Sequence, residues 1–175
     1  VALYSKKTGQ YASDLIFRFR TGSTASTERV RIKSTGQVAI GTTIVGYSSG
    51  DDLTIANSAN CGITIRSGTS NGGNIYFSDG TSGADEYRGV VSYDHTNNFM
   101  RFYVNAAERL RIDSSGHMGL GVTPNANWPT NNDFKALQIG TGACLFGRGS
   151  GDEDRGGIAV NWYSDVSNNK YIGNG

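Results

Sequence analysis

The sequence predicts an all-β protein built from repeated β-hairpin and meander modules, on three observations. A cassette occurs twice, eighty residues apart, as Glu28-Arg-Val-Arg-Ile32-Lys-Ser-Thr-Gly36-Gln-Val-Ala-Ile-Gly41 and Glu108-Arg-Leu-Arg-Ile112-Asp-Ser-Ser-Gly116-His-Met-Gly-Leu-Gly121. Apolar and polar residues alternate with period two inside it, the pattern of a half-buried strand. Gly, Ser, Thr and Asn fill 73 of the 175 positions, whereas Val, Ile, Leu and Phe fill 36. A long fixed period marks an array whose units bury their apolar faces on one another.

Each element derives from this pattern. Tyr11 to Phe19 reads as a strand that parallels Tyr93 to Phe102, with Phe17 set against Phe99. The link to the cassette differs between copies: Thr21-Gly-Ser-Thr-Ala-Ser-Thr27 against the shorter Val104-Asn-Ala-Ala107. Such a length change belongs to a surface loop, and the Gly/Ser/Thr version argues against a helical turn at Ala106-Ala-Glu-Arg-Leu. Within the cassettes, Val30, Ile32, Leu110 and Ile112 alternate with Arg29, Arg31, Arg109 and Arg111, giving one apolar and one cationic face. Lys33-Ser-Thr-Gly36 and Asp113-Ser-Ser-Gly116 end in a glycine able to take positive φ, so each copy reads as a hairpin with a type I turn and a glycine bulge. Val38/Ile40 and Met118/Leu120 then resume the alternation.

Downstream, Leu53-Thr-Ile55 parallels Leu137-Gln-Ile139, Cys61 parallels Cys144, and Arg88-Gly-Val-Val91 parallels Arg155-Gly-Gly-Ile158. Asp94 with Asn97-Asn98 parallels Asp165 with Asn168-Asn169. The repeats divide the chain into 1–45, the end of one unit; 46–124, a complete unit; and 125–175, the start of a third. The chain therefore reads as an excerpt of a longer repetitive protein. The cysteines at matching positions are expected as two buried small side chains, since a disulfide needs Cα atoms about 4.4–6.8 Å apart.

Net charge is +1, so neither disorder nor a basic nucleic-acid stripe is indicated. The thin apolar supply asks for partner chains, because one copy buries too little surface to offset chain entropy; fibrous β-oligomers meet that requirement, and a compact monomeric sandwich is the alternative. Arg18/Arg20, Arg29/Arg31 and Arg109/Arg111 form ladders. They read either as a polyanion site or as pairs for Glu28, Glu108, Asp113 and neighbouring carboxylates, and the lack of interleaved aromatics favours pairing. No run approaches the roughly 18 apolar residues that span a bilayer, and no N-x-S/T sequon occurs.

Candidate chemistry is sparse. Asp113, Ser114, Ser115 and His117 hold the ingredients of a hydrolytic triad but crowd one turn, whereas a triad converges from separate elements. The other copy has Lys33 and Gln37 in place of Asp113 and His117. His95 has only Asp94 beside it and reads as a loop histidine. Asp152-Glu153-Asp154, and Asp79 with Asp85-Glu86, lack the ligand order of a calcium loop. Gly147, Gly149 and Gly151 complete no phosphate-binding motif. No catalytic residue, cofactor site or metal site is expected.

The run Arg111-Ile-Asp-Ser-Ser-Gly-His-Met-Gly-Leu-Gly121 resembles a cassette of bacteriophage tail fibres and related virion appendages. So do Gly62-Ile-Thr-Ile-Arg-Ser-Gly-Thr-Ser, Ile75-Tyr-Phe-Ser-Asp-Gly-Thr-Ser, Glu86-Tyr-Arg-Gly and Tyr93-Asp-His-Thr-Asn-Asn-Phe-Met. Such fibres often end in a self-cleaving endosialidase-type chaperone, no part of which is seen here. The resemblance implies a parallel homotrimer, with a β-prism, β-sandwich or triple β-helix shaft. It also implies location on the virion, contact with other tail proteins and with host surface glycan, and neither nucleic-acid binding nor membrane insertion. The expected role is a structural, non-enzymatic tail-fibre segment contributing to host adhesion. The alternatives are a polysaccharide depolymerase tailspike segment and a bacterial or archaeal surface filament or adhesin. Any ligand contact is expected from the loops Ser78–Glu86, Asn125–Asp133 and Gly149–Arg155. Trp128 is the candidate sugar-stacking ring, and Trp162 reads as a core residue.

Overall fold

The computed structural model describes residues 2–7, 12–20, 22, 25–129, 134–148, 155–160, 162–165 and 168–171; of these, 2–7, 148, 155, 160, 162–165 and 168–171 are described as backbone only. The chain is nearly all β, and no α-helix occurs among the described residues. It divides into two compact units, Val1–Thr64 and Ile65–Gly175.

The first unit holds a five-stranded sheet in sequential order: β1 (Ala2–Lys7), β2 (Ser13–Phe19), β3 (Thr27–Ile32), β4 (Val38–Ile40) and β5 (Leu53–Ile55). The second unit carries β6 (Gly72–Phe77), a short 3₁₀ helix (Gly83–Tyr87), β7 (Gly89–Asp94), β8 (Phe99–Val104), β9 (Ala107–Ile112), β10 (Met118–Leu120), β11 (Phe134–Ile139), β12 (Ala143–Arg148) and β13 (Arg155–Val160). These eight strands form one sequential sheet, and β14 (Trp162–Asp165) pairs with β15 (Asn168–Tyr171) in a separate ribbon.

The two cassettes adopt the same hairpin, residue for residue. Val30, Arg31 and Ile32 face Ile40, Ala39 and Val38; Leu110, Arg111 and Ile112 face Leu120, Gly119 and Met118. In the turns, Gly36 N donates to Lys33 O at 2.9 Å and Lys33 N to Gln37 O at 2.8 Å; Gly116 N donates to Asp113 O and Asp113 N to His117 O, both at 2.9 Å. Gly36 and Gly116 stand at φ 97° and 82°. This is the type I turn with a glycine bulge that the Ser-Thr-Gly and Ser-Ser-Gly runs call for. Each hairpin then returns by a parallel strand: Val38 pairs with Leu53 and Met118 with Leu137, although Leu53 follows Val38 by 15 residues and Leu137 follows Met118 by 19.

A β-bulge recurs as well. Phe17 faces Val30 but Arg18 faces Glu28; Phe102 faces Leu110 but Tyr103 faces Glu108. Arg29 and Arg109 are the extra residues. In a regular strand residues i and i+3 point to opposite faces, and the bulge brings Glu28 with Arg31, and Glu108 with Arg111, onto one face. This ladder corrects the expected alignment of Phe17 with Phe99: the structural equivalent of Phe17 is Phe102, because the unequal links shift the count. The link in the second copy is a two-residue turn, Asn105-Ala106, with φ 53° and 56°, a type I′ geometry matched to strand twist and not a helical turn.

One face of each hairpin is closed by its own connection. In the first unit Gly46 N donates to Thr54 Oγ1 at 2.9 Å; in the second Asn125 N donates to Gln138 Oε1 at 3.0 Å. Thr54 and Gln138 occupy the same ladder position, opposite Ala39 and Gly119. The second connection lies so close that a Cβ on Gly119 would stand 2.0 Å from Val122 O. The core of the second unit sits on this same face: Trp128, Phe134, Ala136 and Cys144, with Phe146 packed against them.

Candidate functional site

The ladders of both sheets sort the side chains by face. On one face of the second sheet lie Ile75, Val91, Phe102, Leu110, Leu120, Ile139 and their row neighbours Phe77, Tyr93, Met100, Ile112, Met118, Leu137, Leu145 and Ile158. Among its described strand residues Lys135 is charged; it stands near the start of β11 and its Nζ donates to Ser115 O. This is the open face: Leu145 is 50 % exposed, Phe77 61 % and Ile158 78 %. The first sheet repeats the arrangement with Leu15, Phe17, Val30, Ile32, Val38, Ile40, Leu53 and Ile55, of which Ile32, Ile40 and Leu53 are exposed. Apolar side chains in an unbroken band of this width exceed the scattered exposed residues normal on a monomer surface.

The opposite, polar face is the closed one. Asp14, Ile16, Ala39, Val90, Ser92, His117, Ala136 and Cys144 are all buried there. Arg31 donates to both carboxylate oxygens of Glu28 at 2.7 and 2.8 Å, and to Asp14 at 2.5 Å. Arg111 makes the same two bonds with Glu108, but its guanidinium lies 4.3 Å over the Phe99 ring, since Phe99 occupies the ladder place of Asp14. The Asp14 carboxyl is held below its ordinary range, first by the backbone N–H of Ser34 and then by Arg31. The guanidinia of Arg31 and Arg111 are shifted up, chiefly by hydrogen bonds to Glu28 and Glu108. The expected pairing of these arginines with Glu28 and Glu108 holds. Asp113 takes no part in it, because its Oδ1 accepts the N–H groups of Ser115 and His117, both at 2.9 Å. Of the apolar and cationic faces expected for the cassette, the cationic one is closed within the chain: Arg31 is 11 % exposed as a side chain while Ile32 faces outward.

Trp128, expected as an exposed sugar-stacking ring, is 4 % exposed and belongs to the core. The connection folds back, with Trp128 N donating to Asn125 O at 3.2 Å. The indole then packs edge-on against His117 at 5.3 Å and Phe134 at 6.0 Å. His117 is 2 % exposed, with Nε2 3.1 Å from Pro129 O. Burial pushes the Cys144 thiol up, whereas Cys61 is exposed, contrary to the expectation of two buried cysteines. Cys61 lies outside any strand and its Sγ reaches only Ile55 O at 3.4 Å.

His95 sits edge-on to Tyr93 at 4.9 Å. In the Ser78–Glu86 loop, Arg88 pairs with Asp79 at 3.4 Å and with Asp85, and Ser78 Oγ donates to Asp85 O at 2.9 Å. Gly147 is a strand residue. Asp152, Glu153, Asp154, Gly149 and Gly151 lie outside the described residues, as do residues 130–133 and the side chain of Trp162. Among the described residues no group of three or more His, Cys, Asp or Glu is placed to hold a metal ion, and no helix is long and apolar enough to cross a membrane. A scan against protein-family models and a search of curated proteins return no match for the chain.

Proposed function

We propose that this chain is a structural segment of a viral tail fibre, in which parallel copies associate as a homotrimer about a long axis and the assembly contributes to host-surface adhesion. The observation that supports this reading is the open apolar face carried by both sheets. Fully burying a Leu, Ile or Phe side chain stabilises by about 1.5–3 kcal/mol, so a band of half-exposed ones leaves a large association energy unrealised in a single chain. Apart from Lys135, tied to Ser115 O near the start of β11, the face is apolar and therefore complementary to itself, which favours further copies of the same chain as its cover. Cyclic closure also protects sheet edges from open-ended pairing. The resemblance of the cassette and its preceding run to tail-fibre shafts supplies the fibre and the virion.

The test is sedimentation velocity at micromolar concentration on the wild-type chain and on Leu120→Glu, which sets a charge in the middle of the open face. The wild type is expected as a trimer and the variant as a folded monomer with unchanged far-ultraviolet circular dichroism. A wild-type monomer with cooperative unfolding would overturn the reading.

A further inference from the structure

On the closed, polar face of the second sheet, strands β6, β7 and β8 leave a cleft of about 240 Å³ lined by Asn74, Tyr76, Tyr87, Ser92, Arg101 and Tyr103. It opens on the face opposite the apolar band, so covering that band with other copies leaves the cleft free. Tyr76 and Tyr87 are exposed at its rim, while Ser92 is buried at its floor.

Arg101 is its unusual member. The Nε is buried and has no acceptor. The terminal nitrogens stand 3.9 Å from Asp94 and 4.0 Å from Glu108, beyond hydrogen-bond reach. Glu108 is engaged elsewhere, holding Arg111 with two bonds, and Asp94 accepts the N–H of Asn97 at 2.9 Å through Oδ1 while its Oδ2 faces Arg101. The guanidinium is instead propped between rings, 4.8 Å over Phe99 and 5.5 Å over Tyr103. Stacking of this kind fixes the plane of the guanidinium and leaves its edge free for a bidentate acceptor. The first copy shows that the fold does not need it, because the same ladder position there is Ile16: Ile16 faces Arg31 as Arg101 faces Arg111.

We infer that this cleft binds a single carboxylated sugar ring, a hexuronate or a sugar acid of that size. The Arg101 terminal nitrogens take the carboxylate, the tyrosine rings take the faces of the pyranose, and Asn74 and Ser92 reach its hydroxyls. The volume falls below the roughly 300–1,000 Å³ of sites for drug-sized ligands, which suits one ring and not an oligosaccharide. A planar carboxylate matches the guanidinium fork, and tyrosines offer apolar faces with polar tips. The inference deepens the adhesion half of the proposed function by naming the ligand class, and it does not depend on the oligomeric state.

The experiment is a ligand-observed NMR titration of the intact chain with methyl β-D-glucuronide, methyl β-D-glucoside and acetate, run on wild type, Arg101→Lys and Arg101→Ile. Glucuronide is expected to bind saturably. Glucoside should bind about tenfold or more weakly, the scale of one charge-assisted hydrogen bond, and acetate no better than glucoside. Arg101→Ile carries the residue found at this place in the first copy; it should keep the wild-type thermal transition and lose the preference for glucuronide. Arg101→Lys should retain part of that preference. Equal binding of glucuronide and glucoside, acetate binding as tight as glucuronide, an unaffected Arg101→Ile variant, or no binding at all would each overturn the proposal. Sedimentation of the same samples separates the two readings: a trimer that binds none of the probes sinks the sugar site alone, and a monomer that binds glucuronide sinks the trimer alone.

Discussion

The two cassettes share their hydrogen bonds, their bulge and their turn, yet the residue beneath the second arginine of each differs in kind. In the first copy the Arg31 guanidinium meets the Asp14 carboxylate; in the second the Arg111 guanidinium lies over the Phe99 ring. Both solutions satisfy a nearly buried cation, one by charge and one by the quadrupole of an aromatic face. The neighbouring position changes in concert, from apolar Ile16 beside the ion pair to Arg101 beside the ring. The hairpin is therefore a frame that tolerates different chemistry on its polar face, while its apolar face stays apolar in both copies. A second difference lies beyond the frame. After the parallel return strand, Ala143–Arg148 pairs into the sheet, whereas residues 61–66 of the first copy belong to no strand and leave Ile63 and Ile65 exposed. Local patterning reproduces the hairpin and its return strand, whereas pairing of the next segment depends on longer-range partners.

The sharpest way to break the equivalence is Trp128→Ala. The second copy anchors its connection with this indole, and the connection of the first copy (residues 42–52) contains no Trp. Removing it should cost about 3–5 kcal/mol, as for other large aromatic truncations in a core. Native-state hydrogen exchange should show lost protection in β10 to β12 and none in β3 and β4. Equal loss in both units would mean that Trp128 stabilises more than its own connection.

The hairpin and its return strand are legible in the sequence because their determinants are local: period-two alternation, Ser-x-Gly turns, and a Leu-x-Ile run after each cassette, Leu53-Thr-Ile55 and Leu137-Gln-Ile139. The bulge is not, because the extra residues Arg29 and Arg109 look like ordinary members of the alternation. With it go the i,i+3 ion pairs, and the unequal links hide the alignment of Phe17 with Phe102. Which face closes is also invisible, since the covering groups are the connections after Gly41 and Gly121, held by Thr54 and Gln138 through bonds that no pattern announces. The burial of Trp128 is hidden for the same reason: an Asn-rich stretch before proline looks like an exposed loop until Asn125 folds it back. The cleft at Arg101 lies on strands, where side chains are expected to be committed to packing or ladder pairs and not to a ligand. Its signal is nonetheless present, in Asn74/Tyr76 and Arg101/Tyr103 standing on alternate residues opposite an apolar row.

The turns should respond alike where the polar faces do not. Gly36→Val and Gly116→Val each place a β-branched residue at positive φ, with only ordinary or no contact awaiting the new Cβ. The cost is conformational, about 1–2 kcal/mol in each copy. Ser115→Ala should cost less, as its N–H bond to Asp113 survives. Urea unfolding of the three variants checks this. A Gly116→Val chain as stable as Ser115→Ala would show that the turn adjusts away from the left-handed region.

The smallest effect sharpens the comparison by pH. Asp14 has its carboxyl lowered in the folded chain by Ser34 N–H and Arg31, while Phe99 at the matching place of the second copy has nothing to titrate. A carboxyl with a depressed folded pKa stabilises the fold above its unfolded value, near 3.8, and that stabilisation drains away as pH falls through the lower folded value. Wild-type stability of the first unit should therefore decline below about pH 4. Asp14→Asn should be less stable than wild type at neutral pH and nearly flat across that window, so that the two curves converge in acid. The measurement is the midpoint of urea unfolding as pH is lowered, with amides of β3 and β4 reporting the first unit and those of β9 and β10 the second. Wild-type and Asp14→Asn curves that stay parallel through the acid limb would show that Asp14 acts through its hydrogen bonds alone, and the contrast between a charge beneath Arg31 and a ring beneath Arg111 would then lie in shape and not in electrostatics.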